Sequence, residues 1–441
     1  MRRVFIVLAF FFIYPVCQVK SPLYGAENNK KPLGTPSRIC AGVNIHFVTG
    51  HEEDLDMIAA AGFKFIRMDF KWNSTERERG VYDWSGYDEL TSNLEKRGLS
   101  ALYILDYSNP LYEETVESVN PINGKVRQTV ASPQHPESVE AFARWSAAAA
   151  EHYRGKNIIW EIWNEPNIFF WSPKPDVKQY TTLAIATAKA IREKVPDASI
   201  IGPATSQVPL SFMESFFSSG VLAYLDAVSV HPYRNYSKSP ETAATDYREL
   251  RKLIERYAPA GKKEMPIISS EWGYSTYTEG ISIETQAEYI VRMQMSNCLN
   301  DIPLSIWYDW MDDGIDPEER EHNFGTVTND LNPKPAYQAA QVMNHQLEGY
   351  QLIHRIDVTN DNDYVLLFRN DNNNYQISTW TTEKPHTISI KTDLSVIQGV
   401  LVVDGYGNAL EMNMEDGHLL IILEGMPQYI SLPEGATIPD Q

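Results

Sequence analysis

Ile158-Ile159-Trp160-Glu161-Ile162-Trp163-Asn164-Glu165-Pro166-Asn167 is an apolar run that ends on a carboxylate and is closed by a proline. It is too short for an independent helix and reads as a strand buried on both faces. Pro166 stops it, because proline brings no N–H to a ladder. Similar runs lie upstream at Ile39–Phe47, Lys64–Phe70 and Ser100–Tyr107, and downstream at Ser199–Thr205, Leu225–Tyr233, Pro266–Tyr274 and Ile302–Trp310. Helical patterns separate them: Glu52–Ala61, Tyr87–Arg97, Pro136–Tyr153, Asp176–Val195, Phe212–Phe217, Thr242–Tyr257, Ile283–Leu299 and Pro335–Leu347. Gly62, Gly98, Pro196 and Gly261 supply helix stops. This alternation over residues 38–347 predicts an α/β fold, a (β/α)8 TIM barrel. A doubly wound open sheet is the rival, and the first strand lacks the glycine-rich phosphate loop that would favour it.

From about Gly349 the helical period is lost. Tyr364–Phe368, Tyr375–Trp380, Thr387–Ile390, Val400–Val403 and Leu419–Leu423 read as short strands with Asn- and Asp-rich turns between them. Residues 348–441 are therefore expected to form a C-terminal antiparallel β-sandwich. With no long linker, it should dock on the barrel in a packing role rather than act as a separate carbohydrate-binding module.

The chain has 441 residues, 43% hydrophobic and 22% charged, which excludes disorder and a small disulfide scaffold. A net charge of -20 disfavours phosphate backbones and anionic membranes, so nucleic acid is not an expected partner. Aromatic residues make up 11%; they pack cores, and they also cover the apolar faces of sugar rings. Met1-Arg2-Arg3 followed by the apolar Val4–Val16 reads as a secretory signal within residues 1–26, with no integral span after its removal. The expected location is periplasmic or extracellular, with anchoring through Cys17 as an alternative. Cys40 opens strand one and Cys298 ends the helix before strand eight, both at the bottom of the barrel, and a disulfide between them is a hypothesis that the sequence leaves open.

In this fold the active site forms at the C-terminal strand ends. Glu165 closes strand four, and Glu271, in Ile267-Ile268-Ser269-Ser270-Glu271-Trp272-Gly273, closes strand seven. Two carboxyl groups facing across a barrel mouth are the machinery for splitting an acetal: one protonates the leaving oxygen, the other attacks or activates water. No cofactor and no metal is called for, and the expected partner is a carbohydrate. Asp312-Asp313-Gly314-Ile315-Asp316 lacks the spacing of a calcium loop and reads as solvated.

Trp163-Asn164-Glu165-Pro166 resembles the acid/base signature of clan A glycoside hydrolases, which are retaining barrel enzymes. Arg67 in Phe65-Ile66-Arg67-Met68-Asp69 resembles that clan's strand-two arginine, His231-Pro232-Tyr233 its His-x-Tyr element, and Trp307 its strand-eight tryptophan. Asn323-Phe324-Gly325 and Pro333-Lys334-Pro335-Ala336-Tyr337, with the terminal sandwich, resemble family 39 best and family 5 second. The resemblance implies an exported retaining glycosidase. Glu165 would be acid/base and Glu271 nucleophile. Asn164 would bind the sugar 2-hydroxyl, Tyr233 and Arg67 would hold Glu271, and Trp307 would be the platform beneath the sugar. His231 is expected to position its neighbours, and Glu161 to pair with Arg67. His46, Asp69 and Asp106 reach strand ends where a substrate is touched, with structural bonding the competing use. Trp171, Trp272 and Trp310 either line subsites or pack. A binding protein without activity and an exopolysaccharide assembly factor remain alternatives.

Overall fold

The structure, a computed structural model, describes residues 33–35, 37–119, 124–393 and 398–436. The export segment read at residues 1–26, with Cys17, lies outside them. Eight parallel strands close into a barrel: β1 (Ala41–Asn44), β2 (Phe65–Lys71), β3 (Ser100–Asp106), β4 (Ile158–Ile162), β5 (Ser199–Ser206), β6 (Ala227–His231), β7 (Ile267–Trp272) and β8 (Ser305–Trp307). Each pairs with its sequence neighbours, and β8 pairs back onto β1. The intervening helices are α1 (Glu52–Ala60), α2 (Ser85–Lys96), α3 (Pro136–His152), α4 (Val177–Lys194), α5 (Leu210–Phe217), α6 (Ala243–Tyr257), α7 (Ile283–Leu299) and α8 (Pro335–Gln346). Local chemistry sets several starts. The Asp176 side chain accepts the N–H groups of Lys178 and Gln179, Ser282 accepts that of Thr285, and prolines open α3 and α8, where a missing N–H costs nothing.

Strand alternation splits the core in two. Phe65, Leu102, Ile159, Ile201, Ile268 and Ile306 point to the axis and form one cluster. Their alternates, such as Ile66, Tyr103, Ile158 and Ile200, join a second cluster beneath the helices. Cys40 packs on the axial cluster, whereas Cys298 lies on α7 outside the wall. The two cysteines are on opposite sides of the strand layer, and Cys40 keeps a free thiol, which burial pushes up to about 12. The hypothesised Cys40–Cys298 disulfide is therefore not formed.

The stretch Ser108–Pro133, which carries no readable pattern, contains an antiparallel hairpin of Thr115–Val119 with Val126–Val130. Its strands are largely exposed, so burial imposes no apolar alternation on them.

Beyond α8 come β9 (Tyr350–Arg355), β10 (Asp363–Asn370), β11 (Tyr375–Thr381), β12 (His386–Lys391), β13 (Leu401–Val403), β14 (Ala409–Leu410), β15 (Asn413–Glu415), β16 (His418–Leu423) and β17 (Gln428–Ser431). They make a six-stranded sheet, β9-β10-β11-β17-β13-β14, and a three-stranded sheet, β12-β16-β15. Val365, Leu367, Ile377 and Ile430 from the larger sheet meet Ile390, Leu419, Ile421 and Leu423 from the smaller. The alternate residues of the larger sheet, Leu366, Phe368, Trp380 and Tyr429, join the outer cluster of the barrel. One sheet thus serves two cores, and the junction is apolar with a polar lock. Trp380 Nε1 donates to Glu241 at 2.8 Å, and Arg292 on α7 holds the same carboxylate at 2.7 and 3.0 Å. Among the described residues, no helix is long and apolar enough to cross a membrane.

Trp380 is fully buried at this junction. Trp380→Ala is expected to lower the unfolding free energy by about 3–5 kcal/mol, measured by denaturant titration.

Candidate active site

Two departures from strand alternation build the mouth. On β4, Ile159 and Glu161 face the axis, so Trp163 should face it too. Instead Trp163 adopts φ 69° and turns into the outer cluster, and Glu165 follows at φ 46°. Left-handed backbone at residues with a Cβ costs on the order of 1–3 kcal/mol each. Here the turn swings both Asn164 and Glu165 over the barrel, and the Glu165 N–H is anchored to the Ala204 carbonyl at 2.9 Å.

On β7 the axial residue is Ile268, and simple alternation would turn Glu271 outward. The β7–β8 register shifts between Ser269↔Ser305 and Trp272↔Trp307, a bulge with one more residue on β7. A bulge of this kind re-aims side chains. Trp272 passes to the outer cluster, and Glu271 comes to the mouth.

Beneath the two glutamates lies Arg67, almost completely buried. Its Nε donates to Glu161 at 2.8 Å. Nη1 donates to Asn44 Oδ1 at 3.2 Å and to Glu271 Oε2. Nη2 donates to Asn164 Oδ1 at 2.9 Å and to His231 Nε2 at 3.2 Å. Burial works against the guanidinium charge, but the Glu161 and Glu271 carboxylates hold it protonated above its ordinary range.

This contact fixes the histidine tautomer. Arginine has no acceptor, so His231 Nε2 must carry the lone pair and Nδ1 the proton. Nδ1–H then donates to Glu165 Oε1 at 3.0 Å. Burial keeps the ring neutral, lowering its pKa to about 4; the Arg67 charge acts in the same direction, while Glu271 opposes it.

The two carboxyl groups sit in different surroundings. Burial pushes Glu165 up to about 7, against the lowering effect of Ser206 and Arg67. Glu271 accepts from the Tyr233 phenol at 2.8 Å on one oxygen and from Arg67 on the other. Oxygens of Glu165 and Glu271 and a His231 nitrogen all lie within 4.8 Å of one another. Asn164 Nδ2 spends one N–H on the Tyr107 phenol at 2.9 Å and keeps its second.

Of the residues singled out in the sequence, Glu165, Glu271, Asn164, Arg67, His231 and Tyr233 thus meet in one network. His46 reaches the rim and lies 3.3 Å from Asp309. Asp106 ends β3, fully buried. Trp307 does not fit the platform expected of it: it is fully buried in the outer cluster, beside Tyr274, and donates to the Phe324 carbonyl at 3.3 Å. The inward parity of β8 runs Leu304, Ile306, Tyr308, and Tyr308 lies half-buried against His46 and Phe324. Trp171, Trp272 and Trp310 are likewise buried packing residues. Asn44, Tyr107 and Tyr308 were missed. Counting alternate positions from Gly42 and Ile306 would have found Asn44 and Tyr308, had the axial face been known.

A closed (β/α)8 barrel that brings two glutamates together from the ends of its fourth and seventh strands defines a glycoside hydrolase. Residues 28–313 match the family model described as Cellulase (glycosyl hydrolase family 5), and the chain belongs to that family of hydrolases. It is 24% identical over 353 residues, 70% of each chain, to a protein named Beta-xylosidase from Caldicellulosiruptor saccharolyticus. Among solved structures, it resembles a family 39 glycoside hydrolase from Bacteroides cellulosilyticus WH2 with a TM-score of 0.76 and 25% identity, covering 90% of this chain and 81% of the other. A family 39 β-xylosidase from Caulobacter crescentus shares the fold at a TM-score of 0.65 and 18% identity, covering 90% of this chain and 97% of the other. The likeness to family 39 expected from the sequence is thus present.

Arg67→Met leaves Glu161 buried without its partner and is expected to cost about 3–5 kcal/mol of stability, part of which Glu161→Leu should restore; chemical denaturation of the single and double variants measures both. Nitrogen NMR of His231 should show a neutral ring protonated at Nδ1 between about pH 5 and 8.

Proposed function

We propose that the chain hydrolyses glycosidic bonds of an oligosaccharide or polysaccharide with retention of anomeric configuration. The observation that carries this is the close approach of Glu165 and Glu271 oxygens, within 4.8 Å. Retaining enzymes place their carboxyl groups about 5–5.5 Å apart, whereas inverting ones leave about 6.5–9.5 Å for a water. In the first step, Glu271 attacks the anomeric carbon while Glu165 gives its proton to the departing oxygen. In the second, Glu165 takes a proton from water, which displaces Glu271 from the glycosyl carbon. The different surroundings of the two acids supply the needed difference: burial keeps a proton on Glu165, and donors from Tyr233 and Arg67 hold the nucleophile. The free N–H of Asn164 is placed to meet the sugar 2-hydroxyl, and Tyr308 rather than Trp307 offers the aromatic wall. The basic start and apolar run at Val4–Val16 support export.

The test is hydrolysis of a panel of aryl glycosides and defined polysaccharides, beginning with β-xylosides because of the β-xylosidase likeness. Wild type should release product whose first-formed anomer matches the substrate. Glu271→Ala should abolish release, and Glu165→Gln should slow it roughly 10²–10⁴-fold. kcat/KM should fall as pH rises through about 7, because Glu165 then loses the proton it must deliver. An inverted first product overturns the double displacement, and turnover that survives Glu271→Ala overturns the assignment of the nucleophile.

A further inference from the structure

A strip of aromatic rings adjoins the mouth on the side of Asn164 and Glu165. Asn164 Nδ2 donates to the Tyr107 phenol at 2.9 Å, so Tyr107 stands next to the reacting groups. The Phe170 ring is nearly parallel to that of Tyr107, with centres 5.9 Å apart and planes 16° from one another. Phe169 follows at 4.6 Å and 30°. All three rings are only half-buried, unlike Trp163 and Trp171, which are fully buried packing residues. The strip is braced from the outer core. Trp163, turned away from the axis by its left-handed backbone, meets Tyr107 edge-on at 5.6 Å, and its indole N–H donates to the Phe170 carbonyl at 3.3 Å.

The exposed hairpin after β3 stands at the end of this strip. Arg127 Nη2 donates to the Phe169 carbonyl at 3.0 Å, and its guanidinium lies 5.0 Å from the centre of the Phe169 ring. The next cross-strand pair of the hairpin, Val119 with Val126, is more than half exposed, so burial of a core does not account for where the hairpin sits. Its contact with Phe169 does. A pyranose with equatorial substituents presents apolar C–H faces, and such faces stack on aromatic rings. Ring spacings of 5.9 and 4.6 Å are comparable to the advance of one sugar unit along a chain, so the strip from Tyr107 to Phe169 has room for two. Contiguous, half-exposed apolar side chains beside a polar site mark a binding surface. An acid/base delivers its proton to the departing oxygen, so the segment that follows Glu165 borders the departing part of a substrate.

Resting on the hydrolase reading for where the broken bond lies, we propose that Tyr107, Phe170 and Phe169 are the platform for the leaving group, closed at its end by Arg127, and that the substrate is a chain continuing for two pyranose residues beyond the cleaved bond rather than a glycoside of a small aglycone. Stacking reads the C–H face of a ring and not its individual hydroxyls. The platform therefore selects for chain length, and the identity of the sugar is left to the groups around Glu271.

The experiment follows early cleavage of xylo-, cello- and manno-oligosaccharides of graded length, each labelled at the reducing end, and resolves the labelled products by chromatography. Wild type should release the label on a disaccharide or a longer piece, with labelled monosaccharide about tenfold rarer. Phe169→Ala should bring the two products within about twofold of one another. Phe169→Tyr, which keeps the ring, should keep the wild-type distribution. Labelled monosaccharide released by wild type as readily as disaccharide, or a distribution unchanged in Phe169→Ala, overturns the proposal. If wild type cleaves no member of the panel, the hydrolase reading falls, and calorimetric titration of the same oligosaccharides decides the platform separately. Binding about tenfold weaker in Phe169→Ala than in wild type leaves the platform standing, whereas equal binding by the two, or none by wild type, overturns it.

Discussion

A guanidinium buried beneath two carboxyl groups is the constraint around which the site is arranged. Taking Arg67 out of water is costly, and its charge survives because Glu161 and Glu271 flank it and because every N–H is accepted. Each acceptor is fixed in return. Asn44 comes from β1, Glu161 and Asn164 from β4 and its loop, His231 from β6 and Glu271 from β7. One side chain from β2 therefore sets the orientation of groups from four other strands. It also decides the histidine tautomer, and through it the hydrogen bond that Glu165 receives.

The rest of the barrel makes that cluster affordable. An apolar plug of axial residues fills the wall below Arg67 and keeps water out from the N-terminal end, and burial at that depth does opposite things to opposite groups. It raises Glu165 to about 7, so that it holds its proton below that pH, and lowers His231 to about 4, which leaves the ring neutral, while Arg67 stays charged. The sandwich contributes at a distance. Trp380 and Arg292 lock Glu241, which lies in the segment following β6, the strand that ends in His231.

Much of this was legible in the chain itself. Eight apolar runs alternating with eight helical patterns specify the barrel, because each strand must be buried on both faces and each helix on one. Glu165 and Glu271 stand out because carboxylates closing apolar runs face a barrel mouth. The loss of helical period after Gly349 announces the sandwich, although β9, β14, β15 and β17 escaped notice. The pairing of Arg67 with Glu161 follows from their shared inward parity. The exposed hairpin after β3 left no signal, because nothing buries one of its faces consistently.

The sequence by itself determined the barrel, its eight strands and helices, the terminal sandwich and the two glutamates. All of these follow from local patterns of polarity and from chain breaks. Only the tertiary structure decided which side chains share the mouth. The β7 bulge and the left-handed turn at Trp163 each shift alternation by one residue, and a one-residue shift moves a side chain to the other face of the wall. On β8 alternation is unbroken, so Tyr308 follows Leu304 and Ile306 to the mouth while Trp307 lies in the outer core, and Cys40 and Cys298, at the same end of the barrel, are divided by the strand layer. Whether Arg67 had a donor to spare was likewise invisible along the chain, since its five acceptors come from residues between 44 and 271 that only folding brings within hydrogen-bonding distance.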